Sequence, residues 1–211
     1  MASRRVDLDL WPRADQFRLF RGYEKPHYAV TSRVDVTPIL TRRAETGMSS
    51  YRACLFAIGA GIHAVPELCM RFRGDEVTQY DRIDLSVTVP LDDGSFRYAY
   101  VPFDPDFTVF DGNAAANIAE VAAASALNAN TGQRDDLAYL SCVPWLDYTS
   151  INNALPHARD CIPRVSWGKF VAGPDGRWSV AMTIEVHHAL VDGRQVGDYF
   201  AAVQAAVDGL A

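Results

Sequence analysis

The chain has 211 residues, of which 49% are hydrophobic and 22% charged, and this balance excludes a disordered chain, a collagen and a coiled coil. Twenty Lys and Arg residues stand against 26 Asp and Glu, which gives a net charge of −6. That charge argues against nucleic acid as a partner. The length and the absence of a visible linker predict a single domain over residues 1–211.

No stretch of the sequence approaches the roughly 20 apolar residues of a membrane span, and no apolar run follows the basic N-terminus. We therefore expect a soluble, cytoplasmic protein without membrane contact. Dispersed cysteines without a C-x-x-C pair favour buried free thiols over disulfides or a zinc site. They are Cys54, Cys69, Cys142 and Cys161.

In the first half of the chain, runs rich in Val, Ile and Tyr predict strands over residues 28–36, 85–89 and 96–101. Asp92-Asp93-Gly94 forms a hairpin turn between the last two. Between the first two, apolar residues at helical spacing predict a helix over 49–65, with Ser49 or Ser50 as its N-cap. Gly59 and Gly61 let this helix approach a neighbour closely.

In the second half, an Ala-rich stretch predicts a helix over 114–126, which Asn113 can cap. Strands over 162–171 and 178–187 flank a Pro174-Asp175-Gly176 turn, and an apolar stripe predicts a last helix over 194–207. Hairpins and helices both connect the strands. This order favours an α/β two-layer sandwich, with a mixed, mostly antiparallel sheet packed with helices, over a doubly wound parallel sheet.

Two adjacent histidines end the last predicted strand, and an Asp-Gly turn and a helix follow them. Adjacent strand residues point to opposite faces, so His187 and His188 cannot easily bind one metal ion, and we expect no metal. His188 falls on the same face of the strand as a series of apolar residues. An apolar environment disfavours the protonated imidazole, and this favours His188 over His187 as a general base. The alternative is a pair of structural histidines before a plain turn.

The sequence H-H-x-x-x-D-G at 187–193 resembles the signature of the chloramphenicol acetyltransferases. The same pattern occurs in peptide-synthetase condensation domains, and a related one in dihydrolipoamide acyltransferase cores. Further segments resemble the same family in the expected order, and together they cover nearly the whole chain. They are Trp11-Pro12-Arg13 with Phe17, Phe20 and Arg21, then Thr31-Ser32 and residues 34–37, 104–110 and 141–145.

This resemblance implies a CoA-dependent acyltransferase fold and transfer of an acetyl group from acetyl-CoA to a hydroxyl of chloramphenicol. It also implies a homotrimer with active sites at subunit interfaces. His188 is then the general base for direct attack on the thioester, and Ser141 stabilises the oxyanion. Asp192 has a structural role and pairs with Arg13. Without the resemblance, Ser141 is an ordinary hydroxyl and Asp192 a turn residue.

The resemblance further implies that Ser166, Lys169 and Phe170 lie near the CoA, although a solvated strand charge is an equal interpretation of Lys169. A lysine that the family has before its first long helix is absent here. Ser49 and Ser50 occupy that place, which puts the usual CoA phosphate contact in doubt.

The implied acceptor pocket departs from the family more than the catalytic residues do. The five residues assigned to this pocket are Leu19, Phe20, Tyr28, Asn117 and Tyr139. Phe20 stands where a Tyr is common, Asn117 where an aromatic is expected, and Tyr139 where the family can have Asn. Polar changes in such a pocket predict a changed or weaker preference for chloramphenicol. Another alcohol acceptor, a longer acyl donor and a trimeric binding protein without turnover remain alternatives.

Overall fold

A six-stranded sheet forms the centre of the structure, a computed structural model that describes residues 2–210. The strands of the chain are β1 (Ser3–Arg5), β2 (His27–Asp35), β3 (Met70–Arg73), β4 (Glu76–Tyr80), β5 (Asp84–Pro90), β6 (Phe96–Pro102), β7 (Leu137–Cys142), β8 (Arg164–Ala172) and β9 (Trp178–His187). In the central sheet their order is β2-β9-β8-β7-β5-β6. Strand β7 pairs in parallel with β5 and β8, and the other three pairings are antiparallel. The predicted mixed, mostly antiparallel sheet is therefore confirmed.

A second, antiparallel sheet has the order β1-β4-β3 and was not predicted. Its strands have only three to five residues. Alternation of apolar and polar residues is recognised over about four to eight residues, so strands at or below the short end of that range leave no clear signal in the sequence.

Five α-helices and one 3₁₀ helix are present among residues 2–210. They are α1 (Ala14–Phe20), α2 (Thr37–Thr46), α3 (Ser50–Ala64), α4 (Phe107–Ala123), α5 (Gly193–Asp208) and the 3₁₀ helix Pro66–Cys69. The predicted helices over 49–65 and 194–207 are confirmed as α3 and α5, and Ser49 caps α3 by accepting the N–H of Arg52. None of the helices in this described range is long and apolar enough to cross a membrane.

Helix α4 corrects the prediction of an Ala-rich helix that begins after Asn113. It begins seven residues before the predicted start, at Phe107, and ends at Ala123. Its N-cap is Asp106, whose Oδ1 accepts the N–H groups of Thr108 and Val109. Phe110 in the first turns is fully buried. The apolar anchor of this helix is therefore an aromatic residue that precedes the Ala-rich stretch.

Glycines let α3 lie close to its neighbours, as predicted. A Cβ atom at Gly61 would lie 2.5 Å from the side chain of Val203 in α5. A Cβ at Gly59 would meet the ring of Phe103 at the same distance. Both distances are far inside van der Waals contact, so these positions exclude any larger residue without local repacking.

The two faces of the central sheet differ in chemistry. On β9, Val180, Met182, Ile184 and Val186 belong to the apolar core under the helices. The alternate residues point to the opposite face, because successive side chains in a strand alternate. We call the set Ser166, Thr183, Glu185 and His187 the polar face; all four are buried.

Residues 143–163 cover the polar face with hydrogen bonds. The side-chain and backbone N–H groups of Asn153 both donate to Oε2 of Glu185. The Tyr148 hydroxyl donates to the carbonyl of Ser166 at 2.7 Å. The loop that follows Ser141 is thus attached to the sheet by polar contacts, whereas the helices on the other face pack by apolar ones.

Candidate active site

His188 is the first residue after β9, and its ring is held between two aromatic residues. The ring stacks on Phe20 at the end of α1, with 3.9 Å between centroids and 6° between planes. The ring of Tyr28 lies at 4.8 Å on a tilted plane. The backbone N–H of His188 donates to the carbonyl of Pro26 at 2.9 Å. The position and plane of the imidazole are therefore fixed by contacts on three sides.

Asp192 stands next to the same ring. Its Oδ1 lies 3.0 Å from Nδ1 of His188. The angle of this contact falls outside hydrogen-bond geometry. No other group within residues 2–210 hydrogen-bonds to this buried nitrogen either. A carboxylate at this distance favours the tautomer that carries its proton on Nδ1. In that tautomer Nε2 is free to accept a proton.

Arg13 connects the start of α1 to the turn after β9. Its side chain is buried and pairs through Nη1 with Oδ2 of Asp192. It also donates from Nε to the carbonyl of Leu190 at 3.1 Å and from Nη2 to the carbonyl of His188 at 3.3 Å. One guanidinium thus holds both the carboxylate and the backbone of the turn.

Tyr28 closes the same turn from β2. Its hydroxyl donates to the carbonyl of Val191 at 3.1 Å. Burial raises the pKa of Tyr28 to about 12, and the carboxylate of Asp192 adds to the increase. The phenol therefore stays protonated at neutral pH and acts as a hydrogen-bond donor.

His187 has a different environment from His188. It is buried, Nε2 donates to the carbonyl of Ala158 at 3.1 Å, and Nδ1 accepts the N–H of Ala189 at 3.1 Å. Burial lowers its pKa to about 4, and the neighbouring His27 adds to the decrease. Both ring nitrogens of His187 are occupied by backbone groups, so this residue supports the fold.

Ser141 lies near the end of β7, on a cavity of about 1510 Å³. Tyr139 lines the same cavity, and Ser166 of β8 is the register partner of Ser141. Polar side chains from β5, β6 and the segment before β7 complete this wall, among them Ser86, Thr88, Tyr98 and Arg134. The cavity is large enough for a small-molecule substrate.

Ser141 and His188 do not meet within one chain. Ser141 is in register with Ser166, which is in register with Thr183, and His188 comes five residues after Thr183. Five residues along a strand span about 17 Å and two strand spacings about 10 Å, so the two side chains are on the order of 20 Å apart. Within the described part of the chain, neither His188 nor Phe20 nor Tyr28 lines the cavity.

The remaining predicted site residues are scattered. Leu19 is exposed, and Lys169 is exposed at a β-bulge between Trp167 and Phe170. Ser166 is buried, and its hydroxyl lies 3.5 Å from the side chain of Asn153.

Asn117 is not among the described residues that line this cavity. The helical phase of α4 puts Ile118 and Ala122 there instead. The side-chain oxygen of Asn117 is buried without a hydrogen-bond partner from residues 2–210.

The sequence analysis missed the contribution of β5 to the cavity. Ser86 and Thr88 line it, and they alternate with buried apolar residues of the same strand. This alternation was visible, but it is typical of any strand with a solvent face. Among residues 2–210, no group of three or more His, Cys, Asp or Glu side chains is arranged to hold a metal ion.

Comparisons with known proteins agree in family and fold. A family model described as Chloramphenicol acetyltransferase matches residues 1–204. Chloramphenicol acetyltransferase 2 of Escherichia coli is 26% identical over 208 residues, which are 98% of this chain and 97% of that protein. The chloramphenicol acetyltransferase of Streptomyces acrimycini is 27% identical over 192 residues, 89% and 86% of the two chains. A solved structure described as chloramphenicol acetyltransferase superposes with a TM-score of 0.88 at 23% identity, over 98% of this chain and 100% of the other. The chain is therefore an acyltransferase that belongs to the chloramphenicol acetyltransferase family.

Proposed function

We propose that the protein transfers an acetyl group from acetyl-CoA to a hydroxyl of chloramphenicol, at sites formed between copies of the chain. The observation that carries this proposal is the environment of His188. Its ring is stacked on Phe20, Nδ1 faces the carboxylate of Asp192, and the side chain is about one-third exposed. An imidazole held in this orientation, with Nε2 facing away from the carboxylate, is what a general base for an alcohol requires.

In the proposed reaction, Nε2 of His188 takes the proton of the acceptor hydroxyl as its oxygen attacks the thioester carbonyl of acetyl-CoA. A C–O bond forms and the carbonyl oxygen becomes an oxyanion, to which the hydroxyl of Ser141 donates a hydrogen bond. The C–S bond then breaks, and the CoA thiolate receives the proton that His188 holds. The ester and CoA leave, and His188 is neutral again.

In this proposal, the Ser141 that acts together with His188 belongs to a second copy of the chain. The separation within one chain, on the order of 20 Å by strand geometry, is too large for both residues to act on one carbonyl. Exposed apolar side chains accompany both regions, as at subunit contacts: Leu19 beside Phe20, whose ring stacks on His188, and Trp145 and Leu146 after Ser141. A contact between two different patches forms a ring when the rotation between neighbouring copies closes, and we propose that it closes as a homotrimer.

Chloramphenicol as acceptor is supported by the names of the family and of its relatives. A second candidate, another alcohol acceptor, is favoured by the polar wall of the cavity. Tyr139, Ser86 and Arg134 all line it, whereas an apolar antibiotic ring favours apolar contacts.

The first experiment measures thiol release from acetyl-CoA over a range of chloramphenicol concentrations. We expect release that saturates with the acceptor, and none with the His188→Ala variant. Saturation in the micromolar range supports chloramphenicol as the acceptor. Saturation only with other alcohols supports the second candidate. Release that His188→Ala leaves unchanged contradicts the proposed chemistry.

The shared site is tested by mixing two inactive variants. His188→Ala and Ser141→Ala chains, refolded together in equal amounts, form trimers in which about a quarter of the interfaces join two intact residues by random assortment. We expect activity to return to about that fraction of the wild-type value. The two variants refolded separately are the controls, and a mixture no more active than these controls contradicts an interface site.

A further inference from the structure

The direction of the His188 side chain is set by the two planar peptide groups that flank its Cα. The first is held at the N–H of His188, which donates to the carbonyl of Pro26 at 2.9 Å. The second is held at the N–H of Ala189, which donates to Nδ1 of His187 at 3.1 Å. The carbonyl of this second group accepts from Arg13 at a longer 3.3 Å. The ring of His187 therefore holds one of the two peptide planes that orient His188.

The N–H of Ala189 depends on this ring more than its neighbours do. The next two N–H groups, of Leu190 and Val191, donate to the backbone carbonyl of His187, which any residue at that position would offer. Ala189 is fully buried, and a buried N–H without an acceptor destabilises the conformation that contains it. Without Nδ1 of His187, this peptide group has to rotate toward another acceptor, and the His188 side chain rotates with it.

Only one tautomer of His187 can accept this bond, because Nδ1 has to be without a proton. The carbonyl of Ala158 lies 3.1 Å from Nε2 and can only accept, so it favours the proton on Nε2. Burial lowers the pKa of His187 to about 4, and His27 adds to the decrease, so the ring is neutral near pH 7. In His188 the carboxylate of Asp192 favours the opposite tautomer. The two adjacent imidazoles thus carry their protons on different nitrogens.

Two further rings fix the orientation of the His187 imidazole. Those of His27 and Phe72 both lie edge-on to it, with centroids at 4.9 Å and planes at 76° and 77°. His27 is the register partner of His187 on β2, and its Nε2 donates to the carbonyl of Asp160. Asp160 belongs to the segment 143–163, as does the residue that accepts from His187. The segment that covers the polar face therefore holds both imidazoles.

We propose that His187 is a positioning residue for acetyl transfer, which fixes the orientation of His188 by accepting the N–H of Ala189. His27 and the carbonyl of Ala158 hold the His187 ring in the tautomer that this bond requires. The inference rests on the proposed function, because it takes His188 as the base. It adds a second histidine that acts on the reaction only through the backbone.

Two substitutions separate the two ring nitrogens of His187. In His187→Asn the amide oxygen can take the place of Nδ1 and accept the N–H of Ala189. In His187→Gln the longer amide lies near the place of Nε2, which leaves that N–H without its acceptor. We expect His187→Gln to lower kcat by about 10–100-fold with the KM of both substrates nearly unchanged, because a catalytic group displaced by about 1 Å reacts much more slowly. His187→Asn should keep about a third of the wild-type kcat or more. Full kcat in His187→Gln overturns the inference, and so does an equal loss in both variants.

His63 at the end of α3 provides the matched control. This partly buried ring also has backbone partners on both nitrogens: Nδ1 donates to the carbonyl of Gly59 at 2.7 Å, and Nε2 accepts the N–H of Ile83 at 3.2 Å. His63→Gln should lower the melting temperature and leave kcat within about twofold of the wild-type value. If it lowers kcat as much as His187→Gln does, the loss reports general destabilisation and the inference is wrong.

Nitrogen-15 spectra of the histidine rings separate this inference from the proposed function, because they require no turnover. Each ring nitrogen gives a different signal with and without its proton, and the His188→Gln variant assigns the signals of His188. We expect a single His188 tautomer in the wild type and in His187→Asn, and a mixture of tautomers in His187→Gln. If this pattern appears in a protein that releases no thiol, the proposed function fails and the positioning of His188 stands. His188 signals that are the same in all three proteins overturn the inference, whatever the activity.

Discussion

The turn that carries His188 and the cavity that carries Ser141 are built in opposite ways. In the turn, Arg13, Phe20 and Tyr28 hold the ring, the carboxylate and the backbone by contacts inside the chain, and only Nδ1 of His188, which faces the Asp192 carboxylate, has no hydrogen bond within residues 2–210. On the cavity wall, the hydroxyl of Ser86 is buried without a hydrogen-bond partner among residues 2–210.

This difference separates two tasks of an acyltransferase. A general base works when its orientation is set in advance, since a misplacement of about 1 Å lowers the rate strongly. A binding cavity instead keeps hydrogen-bonding capacity for its ligand, at a cost in stability to the empty protein. Substitutions of the residues that hold the turn, such as Arg13, should therefore affect the stability, whereas those of His188 and of the cavity residues should affect the rate or the choice of acceptor.

The largest expected effect follows from removing the imidazole. His188→Ala should lower kcat by about 10³-fold, because general-base catalysis contributes ~10²–10⁴-fold. His188→Gln should lose as much, since an amide keeps the size of the side chain but not its basicity. The melting temperature should change little, as the His188 side chain is about one-third exposed. A loss of rate accompanied by a large loss of stability would contradict a purely chemical role.

The next largest effect is expected from removing the hydroxyl that donates a hydrogen bond to the oxyanion. Ser141→Ala should lower kcat by about 100-fold and leave the KM for the acceptor nearly unchanged, because an oxyanion donor acts in the transition state. Ser141→Thr keeps a hydroxyl and should recover part of the rate. A change in KM alone would show that Ser141 binds the acceptor rather than the oxyanion.

The parts that the sequence predicted well are those whose signal is local. The strand Trp178–His187 and helices α3 and α5 have strong periodicity, and the polar end of β9 already pointed to His188. The pairing of Arg13 with Asp192 joins residues 179 apart, and nothing in a single sequence reports such a contact. Only the family resemblance indicated it.

The cavity wall on β5 was unpredictable for a different reason. The cavity-lining Ser86 and Thr88 alternate with apolar residues, which is the usual pattern of a strand with one face in water. Here the segment before β7 covers that face, with Arg134 bonded to Asp84. Whether a polar strand face meets water or a cavity depends on the course of a distant loop, and loop conformation leaves little periodic signal.

A smaller effect, on stability, tests whether Arg13 holds the turn. Arg13→Ala should lower the free energy of unfolding by about 2–3 kcal/mol, because it leaves the Asp192 carboxylate and two backbone carbonyls without their donor. Arg18→Ala in α1, the helix that follows Arg13, is the matched control: its pair with Asp15 is exposed and should contribute under about 0.5 kcal/mol. Urea unfolding measures both. Equal effects of the two substitutions would mean that the turn does not depend on Arg13.

The smallest effect concerns the pH dependence of the same region. The buried His187 ring has a pKa of about 4, against 6.5 for the free side chain, so between these values the unfolded chain binds a proton that the folded chain does not. The free energy of unfolding should therefore fall as the pH falls, by about 1–2 kcal/mol from pH 7.5 to 5 for this residue alone.

The His187→Gln variant tests this dependence. Its side chain cannot be protonated, so urea unfolding should show a smaller loss of stability over that pH range. The exposed His157 provides the control, since His157→Gln should keep the wild-type dependence. The His63 ring, whose pKa burial also lowers, contributes in the same direction to every variant, so only the difference between variants measures His187. An unchanged pH dependence in His187→Gln would mean that protonation of His187 does not limit the stability of the turn.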